Sequence, residues 1–341
     1  MRRLCILLAL VLPTLGCSGG RFRLRTESRV TVNAAQVPAV EPLLEMTVQA
    51  DDSAQAKIAL IDVDGLLVNM DMTGLSSQGE NPVSLFREKL DAAAADPCVC
   101  AVVVRINSPG GGVTATDIML HDLAVFKQRR QVPVVACVMD LGTGGAYYLA
   151  TGADCIVAHP TSITGGVGVI LNLYNLEDTM QQLNIRGRPI KAGEHVDLGS
   201  PIGPISDEGR RLLQQMADEF HARFRKAVEQ ARPDHDPQRS EDFDGRIFTA
   251  QQALDRGLID SIGYLDDAIT AVRRMAHLGS ARTVVYHRCN DRARSLYAIT
   301  PNTPLQSTLL PLSVPGLERS RLPTFLYLWQ PEPTMERLVG R

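Results

Sequence analysis

The side chains with the widest chemical range in this sequence are its seven cysteines, since a thiolate can be a nucleophile, a metal ligand or half of a disulfide. Their spacing includes no Cys-X-X-Cys pair and no zinc-like arrangement, so we expect no metal site and no disulfide framework. Cys17 differs from the others because it follows Gly16 at the end of an apolar run. Gly-Cys at that place is similar to the lipoprotein signal, in which the cysteine becomes the lipid-carrying first residue. We therefore predict lipidation at Cys17.

The first 17 residues are organised as a secretory leader. Arg2 and Arg3 supply a positive start, and residues 4–12 form an apolar run without a charge. The run is too short to cross a bilayer as a permanent helix. We therefore predict a lipoprotein-type signal peptide over residues 1–17. The mature protein is expected in the cell envelope, lipid-anchored on the extracytoplasmic side of a membrane, or secreted or periplasmic without the lipid.

Composition and charge exclude some classes of function. The chain has 341 residues, of which 45% are apolar and 21% charged, as is typical of soluble globular proteins. The net charge is -3 and the pI is near 6.2. Without a basic stripe, such a chain is not expected to bind nucleic acid. No motif indicates a cofactor.

Short strands alternate with helices over residues 57–278. Residues 18–56 are polar and predict a tether and lead-in, and residues 279–341 predict an irregular, loop-rich tail. The alternation predicts an α/β class with a largely parallel sheet in a single domain. The predicted strands are 57–63, 101–106, 132–138, 155–158 and 165–171, and the predicted helices are 82–95, 114–129, one beginning at Ser206, and 249–258.

The tail ends in an aromatic cluster, residues 325–329, that contains the sole tryptophan, Trp329. One interpretation is a strap that packs on the surface of the domain. The other is a patch that faces a membrane or another subunit.

Four ordered segments resemble the SppA (protease IV) family of signal peptide peptidases. They are Val-Val-Val-Arg-Ile-Asn-Ser-Pro-Gly-Gly at 102–111, His-Pro-Thr-Ser-Ile-Thr-Gly-Gly-Val-Gly-Val at 159–169, Asp-Leu-Gly-Ser-Pro at 197–201 and Asp-Gly-Arg-Ile-Phe-Thr-Ala at 244–250. The resemblance covers about residues 57–275. It implies a ClpP/crotonase-like fold, a spiral of ββα units that assembles into rings. It also implies serine-type cleavage of signal peptides and other small hydrophobic peptides.

The family's chemistry uses a serine nucleophile and a lysine base, and this chain has neither residue at the matched positions. The family segment Asp-Val-Ala-Ala-Ser-Gly-Gly-Tyr-Tyr matches Asp-Leu-Gly-Thr-Gly-Gly-Ala-Tyr-Tyr at 140–148, which places Gly144 at the serine. The family lysine directly precedes Asp-Ile-Gly-Ser-Pro, which places Val196 at the lysine. Glycine offers no nucleophile and valine no base.

Three other residues lie close to these positions in the sequence and are candidate substitutes. Thr143 precedes Gly144, but one residue turns a side chain by about 100° on a helix, so its hydroxyl is expected to point elsewhere or to cap that helix. Lys191 and His195 precede Val196 and are expected to be surface residues. The family's glycine-rich turns hold an oxyanion through backbone N–H groups. Gly110, Gly111 and Gly145 are therefore expected to bind a peptide carbonyl or carboxylate.

Several functions follow from this pattern. The favoured one is a pseudoprotease that binds hydrophobic peptides or signal-peptide remnants, in a homo-oligomeric ring or one mixed with an active homologue. The alternative is an active peptidase that uses Thr143 with Lys191 or His195. An acyl-CoA enzyme on the same fold is disfavoured by the leader, because CoA chemistry belongs to the cytosol.

Overall fold

The computed structural model describes residues 42–50, 54–71, 80–236, 238–288, 295–297 and 325–329. The predicted leader, the lipidation site Cys17 and most of the predicted tether lie outside these residues. In the described residues, no helix combines the length and the apolar character needed to cross a membrane.

Ten described strands form one sheet, and most of its pairs are parallel. Along the sheet the strands follow the order β1-β9-β2-β3-β4-β5-β8, while β6 pairs with β4 and β7, and β10 pairs with β3. This confirms the predicted α/β class with a largely parallel sheet. The strands are β1 Leu44–Gln49, β2 Lys57–Leu67, β3 Val99–Gly112, β4 Val134–Thr143, β5 Cys155–Ala158, β6 Ile163–Gly165, β7 Ile247–Thr249, β8 Ser261–Ile262, β9 Arg282–His287 and β10 Leu326–Leu328.

Helices cover both faces of this sheet. They are α1 Pro82–Ala95, α2 Val113–Arg130, α3 Gly145–Ala150, α4 Glu177–Gln182, α5 Asp207–Ala231, α6 Ala250–Asp255 and α7 Leu265–Met275, with a 3-10 turn at Ser240–Phe243. Successive strand residues point to opposite faces. Ala59 and Ile61 therefore pack in the cluster that includes α1 and α2, while Ile58 and Leu60 pack in the cluster that includes α7. Burial on both faces explains why β2 is continuously apolar at these positions.

Local sequence signals locate some element ends and miss others. Asn81 caps α1 by accepting hydrogen bonds from the two backbone N–H groups of residues 83 and 84, and Ser206 caps α5. The predicted strand at 165–171 is wrong, because β6 ends at Gly165. Gly165 and Gly166 have positive φ angles of +91° and +68°, which turn the chain out of the strand direction.

The sheet extends beyond the predicted 57–278 range at both ends of the chain. Strand β1, from the predicted lead-in, pairs antiparallel with β9, from the predicted tail. Strand β9 in turn pairs in parallel with β2. Strand β10, at Leu326–Leu328, pairs with the end of β3. Three strands that the sequence pattern assigned to irregular segments therefore belong to the central sheet.

A buried cluster of opposite charges joins β2, β3 and α1. Asp62 faces Arg105 across the β2–β3 ladder, and their side chains are 2.6 Å apart. The ammonium of Lys89, only 1% exposed, lies 4.0 Å from the same carboxylate. Removing one member of a buried charge cluster leaves its partners without compensation, which costs more than the pair itself contributes.

We predict that Asp62→Ala lowers the free energy of unfolding by about 3–5 kcal/mol, because two buried cations lose their shared carboxylate. Urea unfolding followed by circular dichroism measures the change. Asp91→Ala is the control: Asp91 pairs with Arg87 but is 56% exposed, so the expected loss is under about 1 kcal/mol. Equal losses in the two variants would contradict the prediction.

The end of β3 approaches β2 more closely than any side chain allows. Gly111 lies opposite Leu67 in the ladder. A Cβ on Gly111 would contact the carbonyl oxygen of Leu67 and lie 2.6 Å from its carbonyl carbon. Both atoms belong to the backbone, so relief would require the two strands to move apart.

We therefore expect Gly111→Ala to destabilise the fold by about 1–3 kcal/mol through overpacking. Gly203→Ala is the matched control, since nothing lies within 4 Å of a Cβ at that position, and its effect should stay within about 0.5 kcal/mol. Thermal and urea unfolding measure both variants. An unchanged free energy of unfolding in Gly111→Ala would show that the two strands can move apart there without loss of stability.

Candidate functional site

A short strand near the end of the described chain, β10, occupies a groove at the carboxyl end of β3. It runs antiparallel to residues Gly110–Gly112. On its other side, Leu326 forms a two-way backbone bridge with Ile170, with N–O distances of 3.0 and 2.9 Å. An extended segment is thus held through its backbone along both edges, which is how proteins bind peptides by strand addition.

Two further backbone hydrogen bonds extend this pairing beyond β10. They run from Val113 N–H to the Phe325 carbonyl at 3.2 Å and from Trp329 N–H to the Pro109 carbonyl at 3.1 Å. The paired segment is therefore 325–329, which we call the strap. Of the two interpretations of this aromatic cluster, packing on the domain surface agrees with the structure.

The strap passes over Gly144, the position that the resemblance matches to the catalytic serine. Gly144 directly precedes α3 and has a φ of +53°. A Cβ on Gly144 would lie 2.5 Å from the carbonyl oxygen of Tyr327 and 2.7 Å from its carbonyl carbon. These are backbone atoms, so no side-chain rotation clears them. The space for a side chain at position 144 is filled by the strap.

Of the glycines expected to offer backbone N–H groups, Gly110 lies against the same carbonyl group. A Cβ on Gly110 would contact the Tyr327 carbonyl oxygen and lie 2.6 Å from the backbone nitrogen of Gly145. Gly111 faces Tyr327 in the strand ladder. The N–H of Gly110 donates to the Ser108 hydroxyl over 3.1 Å, which holds the turn in place. The structure therefore places Gly110 and Gly111 against the strap, with Gly145 beside Gly110.

The side chain of Tyr327 fills an aromatic pocket and is 0% exposed. Its ring centroid is 4.7 Å from that of Phe224 on α5 and 5.3 Å from that of Tyr148 on α3. Its hydroxyl donates a hydrogen bond of 2.6 Å to the carbonyl of Phe220. Burial raises the pKa of Tyr327, so the phenol remains a neutral donor at physiological pH.

The pocket is braced by a hydrogen-bonded group on three helices. Tyr148 donates to the carboxylate of Asp117 on α2 over 2.8 Å. Arg223 on α5 donates to the same carboxylate through three bonds of 2.7–3.0 Å. Burial, reinforced by the hydrogen bond to Asp117, raises the pKa of Tyr148 to about 12. The ring of Tyr148 is therefore fixed in place beside Tyr327.

Thr143 is the last residue of β4 and is fully buried. Its hydroxyl donates to the carbonyl of Pro109 over 3.3 Å. The expectation that Thr143 caps the following helix is wrong, because Gly144 occupies the cap position and no side chain caps α3.

Lys191 and Val196 lie in an exposed segment. Lys191 pairs with Asp197 over 2.8 Å, and this hydrogen bond lowers the pKa of the Asp197 carboxyl. The side chain of Val196 is 68% exposed. The partner of Lys191 is thus a residue of its own loop and not a residue of the groove.

His195 belongs to the same exposed segment. Its Nε2 atom lies 3.9 Å from a carboxylate oxygen of Glu208. With Glu194 these side chains form a group whose ligand atoms lie within 4.8 Å of one another. All three are exposed, and exposed acidic groups are common without a metal ion.

Sequence reasoning missed the aromatic residues that form the pocket around Tyr327. Tyr148 is only the last residue of the segment matched at 140–148, and Phe220 and Phe224 belong to a predicted helix without a motif of their own. The one available signal was the aromatic cluster at 325–329. Its pairing with residues 110–112 joins positions more than 200 residues apart, which no local pattern encodes.

The sequence is similar to a family of peptidases. The model of peptidase family S49 matches residues 126–279. The chain is 32% identical over 213 residues to the "Putative protease" of Methanocaldococcus jannaschii. These aligned residues cover 62% of this chain and 68% of that protein. It is 27% identical over 236 residues to the "Putative signal peptide peptidase SppA" of Enterococcus faecium, covering 69% of this chain and 68% of the relative.

More distant likenesses extend this set. Protease 4 of Salmonella typhi is 28% identical over 221 residues, which cover 65% of this chain and 35% of that protein. Two solved structures of mutants of the 1510-N membrane-bound stomatin-specific protease align with TM-scores of 0.40 and 0.39 at 14% and 15% identity. They cover 64% and 63% of this chain and 84% and 79% of those chains, and one of them contains a substrate peptide.

The matched residues include α3 and the exposed segment with Val196, and the relatives carry the names of signal peptide peptidases and proteases. The chain therefore belongs to peptidase family S49, together with signal peptide peptidase SppA and protease 4.

Proposed function

We propose that this S49-family chain binds extended apolar peptides in the strap groove and does not hydrolyse them. The observation that carries the proposal is the contact at Gly144. The position matched to the nucleophile has no side chain, and a backbone peptide group of the strap occupies the space where one would project. Acyl transfer needs a nucleophile at that point, and glycine supplies none.

The position matched to the general base supports the same conclusion. Val196 has no titratable group, and its side chain is 68% exposed. A lysine base in this chemistry must be desolvated to lose its proton near neutral pH. An exposed loop does not supply that environment.

The binding half of the proposal rests on how the groove holds the strap. Backbone groups on both sides, from Pro109 to Val113 and at Ile170, pair with an extended segment. Backbone pairing of this kind accepts many sequences, and pockets for alternate side chains supply the selectivity. The pocket around Tyr327 and the burial of the Leu326 side chain favour apolar peptides.

The proposed setting is the cell envelope. The leader over residues 1–17 and the Gly16-Cys17 pair support export and lipid anchoring on the extracytoplasmic side of a membrane. Assembly into a homo-oligomeric ring, or into a ring with an active homologue, is part of the same proposal. In a mixed ring this chain would supply neither nucleophile nor base, and would act through its groove.

We expect the full chain, purified in detergent, to leave a panel of quenched fluorescent apolar peptides uncut, because neither half of the dyad is present. Fluorescence release and mass spectrometry measure cleavage, and Protease 4 of Salmonella typhi serves as the positive control on the same panel. Dye-labelled, unquenched versions of the same peptides should bind the chain, as measured by fluorescence anisotropy.

Cleavage by the chain would overturn the inactive assignment. Loss of that cleavage in Thr143→Ala, Lys191→Ala or His195→Ala would then identify a relocated catalytic group. Absence of both cleavage and binding over the whole panel would contradict the proposed peptide-binding role.

A further inference from the structure

Strand β3 has two faces, and the groove uses only one of them. Successive side chains of a strand point to opposite faces of the sheet. Ile106 belongs to the core cluster that also contains Tyr327 of the strap. Arg105 and Asn107, on either side of Ile106, instead line a separate pocket. These two polar residues of the matched segment at 102–111 therefore have no part in the groove described above.

The separate pocket lies near the carboxyl ends of three parallel strands, where ligands of α/β proteins commonly bind. In the β2–β3 ladder, Asp62 pairs with Arg105 and Asp64 pairs with Asn107. The volume of the pocket is about 190 Å³. A cavity of about 150 Å³ accepts a benzene molecule, so this pocket accommodates a group of about six heavy atoms. The remaining polar lining comes from Asp140 and Tyr297.

We infer that this pocket binds a small organic cation, either an alkylammonium or a guanidinium group. The charges of its lining carry the inference. Asp62 already has two cations close to it, Arg105 at 2.6 Å and Lys89 at 4.0 Å. Over the described residues, Asp64 and Asp140 have no ion-pair partner. The pocket therefore presents two carboxylates whose charge no side chain balances.

Asp64 is the more strongly constrained of these two carboxylates, because it is half-buried. Its hydrogen-bond partners are the neutral side chain of Asn107 and the backbone of Gly65. The Oδ1 atom of Asn107 accepts from Leu141 N–H over 3.2 Å, which leaves the amide NH₂ group as the donor to Asp64. Burial, with the nearby charge of Asp62, raises the pKa of Asp64. A perturbed carboxyl group in a pocket is typical of a binding site, and a bound cation would compensate its charge.

The spacing of the carboxylates favours an organic cation over a metal ion. Metal ions bind at about 2.0–2.6 Å from each ligand atom, so the ligands must converge on one point. In the part of the chain that the structure describes, the acidic side chains of this pocket form no group of three whose ligand atoms lie within 4.8 Å of one another. An ammonium or guanidinium group carries several N–H donors and an alkyl stem, and it can reach carboxylates that lie further apart.

Tyr297 supplies an aromatic wall at the mouth of the pocket. Its neighbour Leu296 accepts a hydrogen bond through its carbonyl from the guanidinium of Arg105, which holds this part of the chain against the strand. Tyr297 is 55% exposed, so its ring is available to a ligand that enters from solvent. Aromatic rings attract cations, and this attraction discriminates against neutral molecules of the same shape.

The cation could come from a free small molecule or from an arginine or lysine side chain of a peptide. The probes are butylguanidinium for the first source and acetyl-Ala-Arg-Ala-amide for the second. The control peptide carries citrulline, a neutral group of the same shape, in place of arginine. Isothermal titration calorimetry of the full chain, in detergent at low ionic strength, measures the dissociation constants. We expect both cations to bind at least about tenfold more tightly than the citrulline peptide.

Four variants locate the binding site. Asp64→Asn should weaken both cations at least about tenfold, because it removes the half-buried charge. Asp140→Asn and Tyr297→Ala should each weaken them by about two- to fivefold, since both residues are exposed. Asp178→Asn is the matched control: it removes the same charge from an exposed position on α4, outside the pocket, and should bind like the natural chain.

Tighter binding of the arginine peptide would identify a side chain as the source of the cation, and tighter binding of butylguanidinium would identify a free molecule. Either result supports the inference. Equal binding of the arginine and citrulline peptides, unchanged affinity in Asp64→Asn, or no binding of either cation would overturn it. Circular dichroism checks that Asp64→Asn is folded. If it is not, Asp140→Asn and Tyr297→Ala decide, and natural affinity in both overturns the inference.

Discussion

The contact between the backbone of Tyr327 and Gly144 is the constraint on which the site depends. A carbonyl group lies where a Cβ would have to be, at 2.5 Å from its position, and the φ of +53° also favours glycine. This contact accompanies one fixed pairing register, in which Tyr327 lies opposite Gly111. It aligns the strap with residues Gly110–Gly112 on one side and Ile170 on the other, and it directs the ring of Tyr327 into the aromatic pocket.

The sheet brings these elements to one place. Because β3 and β4 are parallel neighbours, their carboxyl ends meet at one edge. The last residues of β3 and the turn after β4 carry the glycines that form the floor of the groove. Helix α5 reaches this edge through Phe224, one of the few residues it buries. The aromatic pocket is therefore also where α5 is attached to the domain, so the strap and α5 stabilise each other.

Sequence patterns predicted the parts of this structure that local chemistry encodes. Short-range rules predict the apolar strand that begins at residue 57, the helix over 82–95 and the helix cap at Ser206. All three are present in the structure. Strands β9 and β10 were assigned to the tail because three to six residues of extended chain have no distinctive period. Their place is decided by pairing with distant strands, and that information is not contained in either segment alone.

The contact with the strap also explains why position 144 is a glycine and not another residue without a nucleophile. The resemblance matches Gly144 to the family's serine, and this match does not by itself say why the residue is glycine. Alanine would remove the hydroxyl just as completely. The strap supplies the missing reason, since alanine's Cβ would collide with the Tyr327 carbonyl and glycine's absent side chain leaves room for it. The absence of a side-chain nucleophile at position 144 and the seating of the strap thus both follow from glycine at that position, and the proposed binding role depends on both.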